Sequence, residues 1–308
     1  MSMLEVARST QVTFPSGAVE GRSVLLGTAA APGLPDGAVG ALVAETPFHP
    51  LDHTWPDQPG DAGTLAGLPV DDCLTGAVGV DGALLVGAGI PAKRGEEGWH
   101  WVAVHVLAEA DAARLPAPGT EVELRVDGAR RAALSAAHTG CHLLAFALNG
   151  VLAEAGRWRK EARPDALGNP DFDGLAMQSS RMDEQASTDV YRLGKSLRKK
   201  GFSTDGLAEA LPELEAAVNT RLAAWLATGA PVAVETDGPD LTALRRWTCP
   251  LPGGTASVLC GGTHLASLTE LAGLATRLTL SDDATELTAV TTPTAAPTPA
   301  PAPPPTRA

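Results

Sequence analysis

The sequence predicts an α+β fold. A small β-barrel-like domain is expected over residues 1–130, followed over 131–290 by antiparallel sheet wrapped by two long helices. Three observations carry this reading. Up to about residue 130, short apolar runs alternate with glycine-containing turns. Beyond that point, Arg131–Leu152 and Ser203–Thr228 repeat apolar residues every three or four positions. Between and after these two stretches, apolar runs of strand length return.

The N-terminal strands are expected at Ser23–Gly27, Ala38–Ala44, Gly76–Val80, Ala83–Gly87, His100–Leu107 and Glu121–Val126. The turn formers PDG, PGD, VDG and PGT bound them. Val80-Asp81-Gly82, between two apolar runs, signals a hairpin. In the first long helix, Leu134, Leu144, Leu148 and Val151 make the apolar face, and alanines supply propensity. The segment NPDFDGLAMQSSRMDEQ, 169–185, reads as loop. Ser187–Val190 starts a strand that could turn Asp189 toward a site. In the second helix, Leu207, Leu211, Leu214, Val218, Leu222 and Trp225 recur at helical spacing. Ser203 or Thr204 is its expected cap, and Gly229 ends it. Pro212 lies inside, so the helix is expected to begin there or to kink. Further on, Pro231–Glu235 reads as strand, Asp240–Trp247 as a short helix, and Thr255–Leu259 as strand. Leu265–Leu280 is strand-like, and Glu286–Val290 adds one more strand. From residue 291 the chain holds only Thr, Pro, Ala and one Arg, and predicts a disordered tail over 291–308.

The chain of 308 residues is 44% hydrophobic, enough for a core, but only 4% aromatic, so that core is mostly Leu, Val and Ala. Net charge is −13, which opposes phosphate contact on average and argues against a DNA partner. Two local runs oppose that average: RWRKEAR at 157–163 and YRLGKSLRKK at 191–200. Cys73, Cys141, Cys249 and Cys260 form no CxxC pair, which fits reduced thiols and a cytoplasmic location. MSMLEVARST lacks the basic start of a signal peptide. No apolar run approaches the ~18–20 residues of a membrane span, so no membrane partner is expected.

The chemistry concentrates in two stretches. In HTGCHLL, His138 and His142 stand four apart and share one helix face. In CGGTH, Cys260 and His264 flank a turn that Gly261 and Gly262 let fold tightly. Two His with a Cys and a third His make a plausible zinc ligand set. Cys141 lies about 100° round the helix from His142 and reads as packing. His49, His53, His100 and His105 read as surface or core histidines.

HTGCHLL together with CGGTH resembles the paired signature of the alanyl-tRNA editing domain. That domain occurs within alanyl-tRNA synthetase and as freestanding proteins of the AlaX type. The resemblance spans roughly residues 25–290. Upstream, TPFHPLDHTWPDQPGDAGTL is similar to the family's FYPEGGGQPxDxGxI, with Gln58, Pro59, Asp61 and Gly63 in register. Glu270 falls where the family has an acidic residue. The resemblance implies that 131–290 is a zinc-binding editing domain, with zinc held by His138, His142, Cys260 and His264. It implies catalytic roles for Gln58, His138 and His142, and a substrate pocket of Trp55, Gln58, Thr263 and Leu268.

The implied partner is an aminoacylated tRNA, contacted by Arg157, Arg159, Lys160, Lys195, Arg198, Lys199 and Lys200. Two departures stand out. Thr54 to Asp57 replace the family's glycine run, and Leu268 replaces a Thr. No P-loop or HIGH-type signature is present, so the chain is not expected to charge tRNA. The implied activity is trans-editing deacylation. Its substrate would be Ser or Gly on alanine tRNA, or a threonine analogue such as fluorothreonine on threonine tRNA. Some related threonyl-tRNA editing domains share the His/Cys pattern and work without metal. Two other readings are a zinc-dependent hydrolase of a small ester or amide, and a non-catalytic tRNA-binding module with structural zinc.

Overall fold

The computed structural model describes residues 6–296. Its N-terminal part is built on an eight-stranded antiparallel sheet, beside which Gln11–Val12 pairs in parallel with Glu45–Thr46. The strands are β1 (Glu20–Ala29), β2 (Ala38–Val43), β3 (Gly63–Leu65), β4 (Leu68–Val70), β5 (Asp72–Val78), β6 (Leu84–Val86), β7 (His100–Ala108) and β8 (Glu121–Val126). Their order across the sheet is β4-β3-β8-β1-β2-β7-β5-β6. Among the described residues the end strands β4 and β6 do not pair, so the sheet is open and the barrel-like expectation is corrected. Each end strand has three residues, too short to continue the ladder.

β8 alternates exposed and buried positions, as a strand with one wet face should. β7 is buried along nearly its whole length because both of its faces are covered. The Val80-Asp81-Gly82 hairpin forms, with Val78 opposite Leu84 and Gly82 at φ +74°. The β3–β4 hairpin was not expected. Its turn puts Ala66 at φ +52° and Gly67 at +76°, and an alanine there gives no turn signal.

The remainder is built on α1 (Gly128–Glu154), β9 (Met177–Met182), β10 (Ser187–Arg192) and α2 (Leu207–Leu226). These are followed by β11 (Ala233–Thr236), β12 (Arg245–Leu251), β13 (Gly254–Leu259), β14 (Leu271–Leu280) and β15 (Glu286–Ala295). Four strands pair in the order β9-β10-β15-β14 and three in the order β11-β12-β13. Both helices pack on these sheets. Leu144, Leu148 and Val151 of α1 share one core with Leu214, Val218 and Leu222 of α2 and with Leu274 and Leu278 of β14.

α1 starts at Gly128 because Asp127 caps it, accepting from the Ala129 and Arg130 amides. By length and composition an 18-residue window of α1 could cross a membrane, against the sequence expectation. That window is 89% buried by the rest of the protein, as suits the core helix of a folded domain.

Several expectations are corrected. The supposed loop 169–185 holds a short helix, Phe172–Ala176, capped by Asp171, and then β9. Asp240–Trp247 is not helical. The chain runs extended from Arg245, and alternate residues Arg245, Trp247, Cys249 and Leu251 point inward. α2 has no side-chain cap from Ser203 or Thr204. It starts after Gly206, at φ +61°, and contains Pro212. Pro212 deprives only the carbonyl of the exposed Ala208. The tail does not begin at 291, because β15 continues to Ala295, paired with Leu271. The rest of the expected tail, 297–308, lies outside the described residues.

Candidate metal centre

The site forms where α1, the turn after β13 and the loop following Pro47 converge. Arg131, on the first turns of α1, anchors that loop. Its guanidinium donates to the buried Asp61 carboxylate, to the Pro47 carbonyl at 2.7 Å and to the Ala18 carbonyl at 3.3 Å. Asp61 also accepts the His49 amide at 2.5 Å. Both ends of the loop carrying Gln58 are thereby tied to the start of α1.

Four side chains that lie far apart in sequence meet there. Ligand atoms of His138, His142, Cys260 and His264 all lie within 4.8 Å of one another. Cys260 Sγ is 3.3 Å from both His138 Nε2 and His264 Nε2. In a tetrahedral zinc site a nitrogen and a sulfur ligand stand about 3.5 Å apart. His142 Nε2 is buried with no hydrogen-bond partner, an uncommon state for a native polar atom and a natural one for a metal ligand. Burial pushes His142 down to about 4, and burial with neighbouring rings pushes His138 and His264 well below the usual imidazole range. The rings are therefore neutral, with lone pairs open to a cation. Burial pushes the Cys260 thiol up to about 12, although the Gly262 amide donates to its sulfur at 3.4 Å. A bound divalent ion would reverse that shift by drawing off the proton. In donor type and spacing the cluster can hold a metal ion.

A second layer orients these ligands. His138 Nδ1 donates to Gln58 Oε1 at 2.8 Å, which leaves Nε2 free to face the cluster. Gln58 Oε1 also accepts the Thr263 amide at 2.9 Å, and Gln58 Nε2 donates to Thr263 Oγ1 at 2.8 Å. Thr263 in turn meets Ser135 Oγ at 2.9 Å. His264 Nδ1 lies 3.3 Å from Thr139 Oγ1. Gly262 makes this approach possible: a Cβ there would sit 2.2 Å from His138 Cε1 and 2.7 Å from Gln58 Oε1. Gly262→Ala should therefore lower metal affinity by about 10–100-fold, the usual cost of disturbing an outer shell. Chelator competition measures this, and wild-type affinity would contradict it.

A cavity of about 640 Å³ opens beside the cluster, with His142 and Cys260 in its wall. Trp55, Asp57, Cys141, Asp173 and Ser180 also line it. Burial raises Asp57 to about 6, and burial with the nearby Asp189 raises Asp173 to about 7. Cys141 donates to Asp189 at 3.5 Å, and Ser187 donates to the same carboxylate at 3.3 Å. Cys141 and Ser180 thus add polar atoms to a lining that also includes Ala145, Met177, Val258 and Leu259.

The expected site residues divide. Trp55 lines the cavity, 44% exposed. Gln58, expected to face substrate, is 1% exposed and bonded behind His138, so it positions a ligand. Thr263 is buried in the same network. Leu268 lies in the core under the helices and not in the cavity, because it packs down from the turn before β14. Glu270 closes that turn in a capping box, accepting the Ala266 and Ser267 amides. His49 lines the cavity, whereas His105 is buried in the sheet, 2.8 Å from Thr46 Oγ1.

The two basic runs come together. The Arg159 amide bonds the Gly201 carbonyl at 2.8 Å, and the Ser203 amide bonds the Arg157 carbonyl at 2.7 Å. Arg157 and Arg159 are engaged by the 205–206 turn, including an Arg159–Asp205 ion pair. Lys160, Lys199 and Lys200 line a second cavity together with Arg163. Lys195 and Arg198 line a third. Asp173 and Ser180 escaped prediction as wall residues, while Asp189, hinted at in the sequence, lies behind the wall bonded to Cys141. The β9–β10 reversal brings Ser180 and Asp189 to α1, and the short helix Phe172–Ala176 brings Asp173.

No family model matches the chain. Over 118 residues, 38% of its length, it is 35% identical to the alanyl-tRNA editing protein AlaX-M of Pyrococcus horikoshii. The match spans 41% of that protein. The motif pair, the four-ligand cluster it builds and this match agree, and over that stretch the chain is similar to an alanyl-tRNA editing protein.

Proposed function

We propose that this chain is a trans-editing aminoacyl-tRNA deacylase, acting in the cytoplasm, that hydrolyses the ester of a mischarged tRNA. The observation that carries the reading is the His138–His142–Cys260–His264 cluster in the wall of an open cavity. A zinc ion held there would lower the pKa of a water to ~7 and polarise the ester carbonyl. The chain's own residues supply the rest. Gln58 fixes the His138 ring, Gly262 allows the close approach, and the cavity admits the aminoacyl end. The water oxygen bonds to the carbonyl carbon, the bond to the ribose oxygen breaks, and the ribose oxygen takes up the proton. The ester is already activated, so no Ser/His/Asp triad is required.

Cys141 and Ser180 in the cavity wall, with Asp189 bonded behind Cys141, offer polar partners that suit a hydroxylated amino acid. That fits serine on alanine tRNA or a threonine analogue on threonine tRNA. Nucleic-acid contact is supported by a continuous lining. A cavity shares His142 and Asp173 with the one at the cluster and reaches Arg163, which also borders the Lys160, Lys199 and Lys200 cavity. Replacing those three lysines by Gln should weaken tRNA binding and reduce the slope of log affinity against log salt by about 2–3. An unchanged slope would remove this patch from the tRNA path.

Deacylation across a panel of charged tRNAs, with free aminoacyl esters in parallel, tests the reading. A fast rate confined to particular tRNAs supports it. Equal rates on free esters would favour a small-ester hydrolase, which the charge of −13 suits. The all-protein ligand set also suits a structural zinc in a non-catalytic tRNA-binding module. Metal-loaded protein that binds tRNA and hydrolyses nothing would establish that alternative.

A further inference from the structure

Every aminoacyl ester places its α-nitrogen about 2.5 Å from the carbonyl carbon, whatever its side chain. A centre that holds the carbonyl must therefore accommodate an ammonium beside it. Asp57 is a carboxylate beside the cluster, in the cavity wall. Its Oδ2 is 3.7 Å from His138 Nε2, while its Oδ1 accepts the Gln58 amide at 2.8 Å, which pins the carboxylate. The Met182 amide donates to the Asp57 carbonyl at 2.9 Å and fixes the backbone as well. The side chain is 20% exposed, and the residue lines the cavity with Trp55, Cys141 and His142. Among the described residues no Lys or Arg forms an ion pair with it, whereas nearby Asp52 is paired with Arg94 at 2.7 Å. A carboxylate left this dry and unpaired is costly unless a ligand brings the positive charge.

We propose that Asp57 receives the α-ammonium of the aminoacyl group, so that the site selects esters of free α-amino acids over N-acylated ones. This rests on the deacylase reading above. The test compares an aminoacyl-tRNA with its N-acetyl form. Wild-type protein should prefer the free amine by at least about 100-fold in kcat/KM, since a site built for a polar group rejects its blocked analogue. In Asp57→Asn that preference should shrink to within about tenfold, mainly through a higher KM for the free amine. Equal rates on both forms in the wild type would overturn the proposal. So would an equal loss of kcat on both forms in the variant, which is what proton transfer by Asp57 would produce. Calorimetry with a non-hydrolysable 3′-aminoacylamido adenosine and its N-acetyl form reads the contact without turnover. Preference for the free amine that Asp57→Asn loses supports the proposal even if no tRNA is hydrolysed, an outcome that would sink only the deacylase reading. Equal wild-type affinity for the two analogues would overturn it.

Discussion

Replacing His138 or Cys260 by alanine should abolish ester hydrolysis while the N-terminal sheet stays folded. Each substitution removes one of four donors from a centre whose charge stabilisation is worth several kcal/mol. About 4 kcal/mol corresponds to roughly 1000-fold in rate, so kcat/KM should fall at least that far. The sheet should survive because its main cores are built elsewhere. One joins Leu25, Val43, Leu65, Leu107 and Leu124, and the other joins Leu42, Val78, Val102 and Val104. Neither core includes a cluster residue. Steady-state rates on the charged tRNA, together with a far-ultraviolet melting curve, measure both halves of the prediction. Wild-type activity in both variants would be fatal to the site assignment.

The second large effect is on stability. Arg131→Ala should cost about 3–5 kcal/mol, the range for breaking one side of a buried ion pair. Arg131 is 5% exposed and Asp61 0%. Without the guanidinium, Asp61 keeps only the His49 amide, and the Pro47 carbonyl loses its 2.7 Å donor. Urea unfolding reads the difference through the midpoint at constant slope. A loss below about 1 kcal/mol, as at an exposed pair, would contradict this account. The same variant should also bind metal less tightly, because Arg131 holds the loop that presents Gln58 to His138.

Local spacing made part of the site legible. His138 and His142 share a face through helix geometry alone, and Gly261 and Gly262 mark the turn that aims Cys260 and His264. The partners of these ligands were not legible, because they come from distant segments. Gln58 is 80 residues from His138, and its family register suggested substrate, whereas its bonds run to His138 and Thr263. Leu268 was a pocket residue by the resemblance, standing where the family has Thr, but its side chain turns into the helix core. β9 reads MQSSRM, too polar to predict as a strand, and exists because it pairs with β10. The stretch 240–247 reads as a short helix, but from Arg246 onward pairing with β13 makes it a strand. The strands of the first sheet were easier to read, since Glu121–Val126 alternates strictly and turn residues bound its neighbours.

X-ray absorption at the zinc edge, on protein purified with one equivalent of zinc, tests the central claim most directly. The account predicts a single site with three nitrogen ligands near ~2.0 Å and one sulfur near ~2.3 Å, the sulfur contribution vanishing in Cys260→Ala. A wild-type spectrum without sulfur, or no stoichiometric zinc at all, would contradict it.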